Sequence, residues 1–243
     1  MTYVLQFGDI ERFLPLVWQG AIITLQLTAA AIIGGFAVGL VSAVGRGSKW
    51  SVLRVPAAIY VEVTRNTPLL VQIFFAFFAL PSLGLRLTPL EAAFFALIWN
   101  NGAYMTEILR AGLVSVHRSQ LEAGQCLGMS WLQVFVYVQL PTAIANVYPA
   151  MVGQFMIIFL NSSVASTIGV EDLMGAAGYI QSETLRAFEI YLVTAAAYVS
   201  LGFVIRGIFA ALAPDNPFKR IVCRWVHALS AAGSSPHPSR SDV

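Results

Sequence analysis

The sequence predicts an all-α integral membrane protein with five transmembrane helices. Three observations carry that prediction: extreme apolarity, long uncharged runs, and basic residues that alternate from one side of those runs to the other. Of 243 residues 58% are hydrophobic and only 11% charged, and the mean hydropathy is +0.74. A water-soluble core cannot absorb runs of this length, so lipid has to be the solvent.

No charged residue occurs from Phe13 to Gly45, which exceeds the roughly 20 residues a helix needs to cross the hydrocarbon. That run defines a first span at about 14–45. A second is expected at 52–80, where Pro81 and Gly84 break it, and a third at 89–112. The charge-free stretch 123–170 holds a fourth at 132–161, and a fifth follows at 187–209. Arg46, Lys49 and Arg54 follow the first span, Arg110 and Arg118 the third, and Arg206, Lys219, Arg220, Arg224 and Arg240 end the chain. Only Arg12, Arg86 and Arg186 lie on the other side. The positive-inside rule then sets the N-terminus outside and the C-terminus in the cytoplasm of a multi-pass inner (plasma) membrane protein. Residues 1–13 read as an extracytoplasmic amphipathic segment with no removable signal peptide. Residues 14–213 form one transmembrane domain, and 214–243 a cytoplasmic tail with a disordered end.

Several function classes drop out. A net charge of +2, spread over loops and without a basic face, gives no support for a nucleic-acid partner. Cys126 and Cys223 are isolated, lack metal or redox spacing, and read as unreactive filler. His117, His227 and His237 lie in cytoplasmic segments, and no HExxH or serine-and-base set marks an intramembrane enzyme or a metal site. There is no GxxxxGK[ST] phosphate loop either.

Polar residues inside the spans are the candidates for function. Glu62 with Arg65 and Glu107 with Arg110 are i, i+3 pairs, each able to neutralise itself along one helix face. They read as a network beside a gate, with Arg65 also open to direct substrate contact. Asn100, Tyr104 and Glu107 form an i, i+4, i+7 stripe, and Gln154 and Asn161 are seven apart. Such stripes either face a translocation path or join helices by hydrogen bonds. Pro141 and Pro149 are expected to kink the fourth span. Gly35 and Gly39 have the small-xxx-small spacing of close helix contacts. The outer segment from Ser163 to Glu189, with Glu171, Asp172 and Glu183, reads either as a short gate helix and docking surface or as a solvated loop.

Between the third and fourth spans, the loop 118–131 contains Ser119-Gln120-Leu121-Glu122, the form of a capping box, so a short helix is expected from about Gln120. Gly128 would close it, and Ser130 would cap the next helix. Glu122-Ala123-Gly124, then Gly128, then Val138-Gln139-Leu140-Pro141 resembles the EAA loop of binding-protein-dependent ABC importer permeases. Gly124 replaces the second alanine of that pattern and Val138 its isoleucine. The resemblance implies the type I importer fold and a coupling helix seated in a groove of the ATPase. It also implies partners: a cytoplasmic ABC ATPase dimer that binds ATP and Mg, with no cofactor in this chain, a second permease subunit (sister chain or self), and a periplasmic or lipid-anchored amino-acid-binding protein.

The resemblance runs from about Trp18 to Ala213. Tyr60–Gln72 and Ala103–Gly112 look like the polar amino-acid branch, and Asn161–Val170 looks like the glutamate/aspartate importers, which implies an acidic substrate. Leu160 stands where that family usually has Lys, and Gln154 where it often has Glu. A substrate path over Arg65, Gln72, Asn100, Tyr104, Gln154, Asn161, Ser162 and Ser163 follows from the same match. The competing expectation is a secondary transporter or channel for small polar solutes. It would need a coupling-ion site and usually an internal repeat, and the spans show no repeat.

Overall fold

A computed structural model describes residues 12–213, and every regular element in it is helical. The expected amphipathic segment up to residue 11 and the tail 214–243, with Cys223, His227 and His237, lie outside the described residues.

Helix α1 (Leu14–Arg46) is followed by α2 (Ser51–Arg65) and α3 (Leu69–Phe74), which continues through a π turn at Phe75–Ala79 and a 3-10 turn at Leu80–Leu83. Then come α4 (Pro89–Ser115), the short α5 (Arg118–Cys126) and α6 (Trp131–Val134). A second π turn, Phe135–Gln139, leads into α7 (Leu140–Asn161) and a 3-10 stretch at Ser162–Ile168. Helices α8 (Leu173–Thr184) and α9 (Ala187–Leu212) complete the described chain.

Three elements, Leu14–Arg46, Trp131–Ile168 and Ala187–Leu212, are long and apolar enough to cross a membrane unaided. The expected second span is not one helix. It is two arms, Ser51–Arg65 and Leu69–Leu83, that meet at 110° and count as a fourth crossing only if taken together. The break falls at Asn66-Thr67-Pro68, because Pro68 has no N–H to give and forces its predecessor out of the helical region. Gly84, at φ +88°, then ends the second arm where the sequence leads one to expect.

The 27 residues of α4 would reach about 40 Å, yet its middle carries Asn100, Asn101, Tyr104, Thr106 and Glu107. Such a helix is tolerable only where protein covers it. Here Ala92, Ala96, Leu97, Asn100, Asn101, Met105, Thr106 and Leu109 are all buried. The main cover is α1, whose contact with α4 is the most extensive between any two elements. Lipid gives two helices no hydrophobic reason to associate, so close packing has to do it. Gly35 and Gly39 perform that role: a Cβ at Gly35 would sit 2.6 Å from Asn101 Nδ2, and one at Gly39 2.6 Å from Met105 Cβ. On the α4 side, a Cβ at Gly102 would meet Tyr60 Oη at 2.6 Å.

Two buried clusters flank this contact. One gathers Leu27, Ala31, Ile73, Leu97, Ile158 and Ala165, and the other Ala43, Met105, Leu109, Met151 and Phe155. Both π turns precede a Leu-Pro pair, Leu80-Pro81 and Leu140-Pro141. A π turn is a local way to absorb a missing proline N–H without breaking the helix. The expected kink in the fourth span is therefore a widened turn at Pro141, with Thr142 Oγ1 donating to the Val138 carbonyl at 2.8 Å, while Pro149 sits inside an unbroken α7.

Replacing Gly39 by Leu is expected to cost about 1–3 kcal/mol through overpacking. Detergent-titrated unfolding of the purified chain reads this directly. Gly207→Leu, at a position with open space for a side chain, is the matched control and should shift little.

Candidate functional site: a polar elbow and a short exposed helix

Breaking a helix between apolar arms frees backbone carbonyls that lipid cannot satisfy. Side chains of the elbow take them up. Asn66 Nδ2 donates to the Glu62 carbonyl at 2.7 Å, and Thr67 Oγ1 to that of Val63 at 2.7 Å. Gln72 reaches back across the break, its Nε2 donating to the carbonyls of Thr64 (2.8 Å) and Thr67 (2.9 Å). Its Oε1 accepts from Asn100 Nδ2 at 3.1 Å, which fastens the elbow to α4. Trp99 Nε1 donates to Thr64 Oγ1 at 3.1 Å, and Tyr60 Oη to the Trp99 carbonyl at 2.7 Å. A groove of about 370 Å3 lies in the bend, walled by Thr64, Thr67, Gln72, Phe75, Phe95 and Trp99.

The neighbouring Asn101 faces elsewhere, about 100° round the helix. It donates to the Ala31 carbonyl of α1 at 2.8 Å and accepts from Gln154 Nε2 of α7 at 3.2 Å. Asn100 and Asn101 together tie three elements to α4. The i, i+4, i+7 stripe contains Asn100, Tyr104 and Glu107 but not Asn101, and only the adjacency of two Asn in an apolar run hints at it. Of the path residues expected from sequence, Gln72, Asn100 and Gln154 are thus engaged in helix-to-helix bonds. Ser162 and Ser163 bond back to the carbonyls of Phe159 and Leu160, both at 2.7 Å, and Asn161 is half-buried at the end of α7.

The charges pair differently from the i, i+3 expectation at one of two places. Arg110 does meet Glu107, at 3.2 Å. Glu62 does not meet Arg65; its ion-pair partner is Arg46, at 4.0 Å. Arg46, at the end of α1, also contacts Glu107 directly and so joins α1, α2 and α4. The Arg65 guanidinium lies over the Tyr104 ring, 5.4 Å from its centroid, as a cation–π contact. The neighbouring helices explain the difference: Tyr104 of α4 takes up the Arg65 guanidinium and Arg46 of α1 faces Glu62.

Two residues past α4, α5 begins at Arg118 and not at Gln120. Its cap is the His117 ring, which accepts from the Ser119 amide at 3.4 Å and shares a 2.7 Å contact with Ser119 Oγ. Glu122 closes no capping box, because Arg118 Nε engages it at 3.0 Å. The C-terminal end follows expectation. Gly128 takes φ +78°, its N–H bonds to the Gln125 carbonyl, and the Met129 N–H bonds to that of Gly124, the paired closure of a Schellman motif. Ser130 and Gln133 then form a reciprocal capping box that starts α6. Gly124 is buried, and a Cβ there would lie 3.1 Å from Val134 Cγ2, so the glycine lets α5 lie against α6. Ser119, Glu122, Ala123 and Gly128 stay exposed, as does Cys126, which is therefore not buried filler. Leu140 and Pro141 lie beyond the π turn, at the start of α7.

At the other end of the molecule the segment after α7 does form a short helix, α8. Asp172 caps it, accepting from the Gly175 amide at 2.9 Å, and is fully buried, as is Glu189, which pairs with Arg186 at 3.5 Å. Glu171 and Glu183 are exposed. The Leu173 amide donates to Thr24 Oγ1 at 3.1 Å, fixing α8 to α1. If the elbow is held as described, Gln72→Leu combined with Asn100→Ala will show a coupling energy of about 0.6 kcal/mol, with an upper range near 1.7. A double-mutant cycle on unfolding measures it; strict additivity would contradict the Gln72–Asn100 bond.

Comparison with known proteins places this architecture. Residues 35–216 match the family described as binding-protein-dependent transport system inner membrane component. The probable glutamine ABC transporter permease protein GlnP of Bacillus subtilis (strain 168) is 34% identical over 196 residues, covering 79% of this chain and 90% of that protein. The glutamine transport system permease protein GlnP of Escherichia coli (strain K12) is 33% identical over 201 residues, covering 82% and 92%. A crystal structure of an amino acid ABC transporter with histidines superposes at a TM-score of 0.78 with 34% identity, covering 87% of this chain and 99% of that one. Inward-facing crystal structures of the MetNI methionine ABC transporter share the fold at 19% identity and a TM-score of 0.70, covering 84% and 97%. A 182-residue family match and relatives of this closeness leave one assignment: the chain belongs to the binding-protein-dependent inner-membrane components, the non-catalytic membrane-embedded permeases of ABC importers.

Proposed function

We propose that this permease carries a polar amino acid inward through five spans, with its N-terminus outside and its C-terminus in the cytoplasm, driven by ATPases that dock on α5. The observation that carries the docking reading is the geometry of α5. It is a short helix closed at both ends, with Ser119, Glu122 and Ala123 exposed and Leu127 exposed by 83% at its tip. Only two residues separate it from α4. A displacement of α5 therefore reaches α4 with little slack, and through Asn100 and Asn101 it reaches the elbow, α1 and α7. ATP and Mg belong to the partner ATPase in this scheme, and this chain contributes no cofactor.

A second permease subunit, sister chain or self, would complete the path, and an amino-acid-binding protein would deliver substrate to the face that carries Glu171 and Glu183. The path itself is proposed to run past Arg65, Tyr104, Asn161, Ser162 and Ser163, with Gln72, Asn100 and Gln154 fixing its walls. Glutamine is the favoured substrate. Relatives at 33–34% identity bear glutamine names, and neutral Leu160 stands where the glutamate/aspartate match usually has a Lys, the charge that would meet an acidic side chain. The glutamate/aspartate reading retains the support of the Asn161–Val170 match alone.

Uptake into vesicles holding the permease, its ATPase and the binding protein encoded beside it should be competed by glutamine more effectively than by glutamate. The reverse order would restore the acidic reading, and uptake driven by an ion gradient without ATPase would remove the ATP-driven one. Glu122→Lys should lower ATPase co-purification by about tenfold or more, as expected when one charge of an interface is reversed, with the permease level in the membrane unchanged. Full co-purification and transport in that variant would show that α5 is not the docking element.

A further inference from the structure

Asp172 is a fully buried carboxylate on the segment that joins α7 to α9, outside the candidate spans. A buried carboxylate is expected to be paired or fully hydrogen-bonded. Half of this one is: Oδ1 accepts from the Gly175 amide at 2.9 Å as the cap of α8. Oδ2 has no hydrogen-bond partner among the described residues. The Tyr198 hydroxyl of α9 faces this carboxylate, and that buried hydroxyl has no hydrogen-bond partner either. Two buried polar groups thus meet where α8, α9 and α1 come together, each able to serve the other.

The junction is closely fitted. On α1 a Cβ at Gly20 would lie 2.8 Å from the Asp172 carbonyl oxygen, and the buried Thr24 accepts from the Leu173 amide. Helices α8 and α9 run as a hairpin: Ile180 and Ile190 share a buried cluster, and Tyr191 Oη donates to Gln181 Oε1 at 2.6 Å. Tyr198 lies seven residues, about two turns, beyond Tyr191, which returns it to the start of α8. No other charge intrudes. Gly20 and Thr24 of α1 do not ionise, the 3-10 stretch Ser162–Ile168 carries no charged residue, and Glu171 and Tyr179 are exposed. Glu183 lies about 16 Å along α8, with Arg186 and Glu189 beyond it.

Burial pushes the Asp172 carboxyl up to about 6, against the backbone amides of the cap and the Tyr198 hydroxyl, which favour the anion. Moving α8 off α1 and α9 would return Asp172 to water and to an ordinary aspartate value of about 3.9. The seated helix therefore binds the proton more tightly. Seating is strongest below about pH 4 and weakens as the pH rises through about 6.

We propose that Asp172 is a proton-sensitive positioning residue for α8: as the neutral acid it donates to Tyr198 Oη and holds the helix against α1 and α9, and loss of that proton to water loosens the helix. Tyr198 can then donate to the carboxylate, but a buried charge remains to be accommodated. The seating of α8 does not depend on which solute the permease carries.

Infrared difference spectra of the permease–ATPase complex test the proton. The carbonyl band of a protonated carboxyl group should fade with a midpoint near 6 and be missing from Asp172→Asn, which keeps a side-chain oxygen to cap α8. Tyr198→Phe should raise the midpoint, because the hydroxyl favours the anion; a merely structural contact would leave it where it is. Amide exchange tests the seating. After correction for the intrinsic effect of pH, α8 should be about tenfold better protected at about pH 5 than at about pH 7.5 in the wild type, and equally protected at both in Asp172→Asn. A wild type without the band, a band that survives in Asp172→Asn, an unmoved midpoint in Tyr198→Phe, or protection of α8 that ignores pH would each overturn the proposal.

Discussion

Inside a membrane, every carbonyl released from a helix must find a donor within the protein. The elbow at Asn66-Thr67-Pro68 releases several at once, and the surrounding structure is arranged around supplying them. Gln72 bridges the break, Asn100 holds Gln72, and Asn100 can be there only because α4 is covered on its other sides. That cover requires α1 to approach closely enough for Gly35 to lie against Asn101. The elbow, the polar centre of α4 and the glycine face of α1 are therefore one solution to one constraint, and each would be untenable without the other two.

This arrangement also separates two duties that polar residues in membrane helices are often asked to share. Gln72, Asn100, Asn101 and Gln154 spend their hydrogen-bonding capacity on other helices and hold the scaffold. Arg65 rests on the Tyr104 ring of α4 and makes no hydrogen bond to another helix among the described residues, and Asn161 is half-buried at the end of α7. The ion cluster of Arg46, Glu62, Glu107 and Arg110 does for charge what the amides do for carbonyls. It closes the end of the bundle nearest α5 with three basic and carboxylate contacts across α1, α2 and α4, instead of two separate pairs within single helices.

Much of this was legible in the chain. The uncharged runs marked α1, α7 and α9 because length and apolarity are properties of composition alone. Gly128 and Ser130 marked the end of α5 and the start of α6 because a left-handed closure and a hydroxyl cap depend on local chemistry. Other features were not legible for equally physical reasons. Pro68 is as compatible with a mild kink as with a 110° bend, and what decides between them is whether side chains such as those of Asn66, Thr67 and Gln72 can satisfy the opened backbone. Arg46 looked like a loop charge because its partners lie 16 and 61 positions away in sequence. His117 displaced Ser119 as the cap of α5 because an imidazole acceptor two residues earlier captured the Ser119 amide. The comparison with relatives could supply the family, but which polar residues are bonded from helix to helix is visible only in three dimensions.

The π turn at Phe135–Gln139 has a consequence for how this family can change over time. A π turn holds one residue more than the α-helix it interrupts, and each residue turns a helix by about 100°. Everything after it, from Leu140 to Asn161, is therefore phased by that single extra residue. Losing it would swing Gln154 away from Asn101 and turn an apolar neighbour toward the polar centre of α4, with no substitution in either helix. The phase of α7 is thus a property of chain length in a five-residue window, and insertions or deletions there should be far less tolerated than exchanges of side chain.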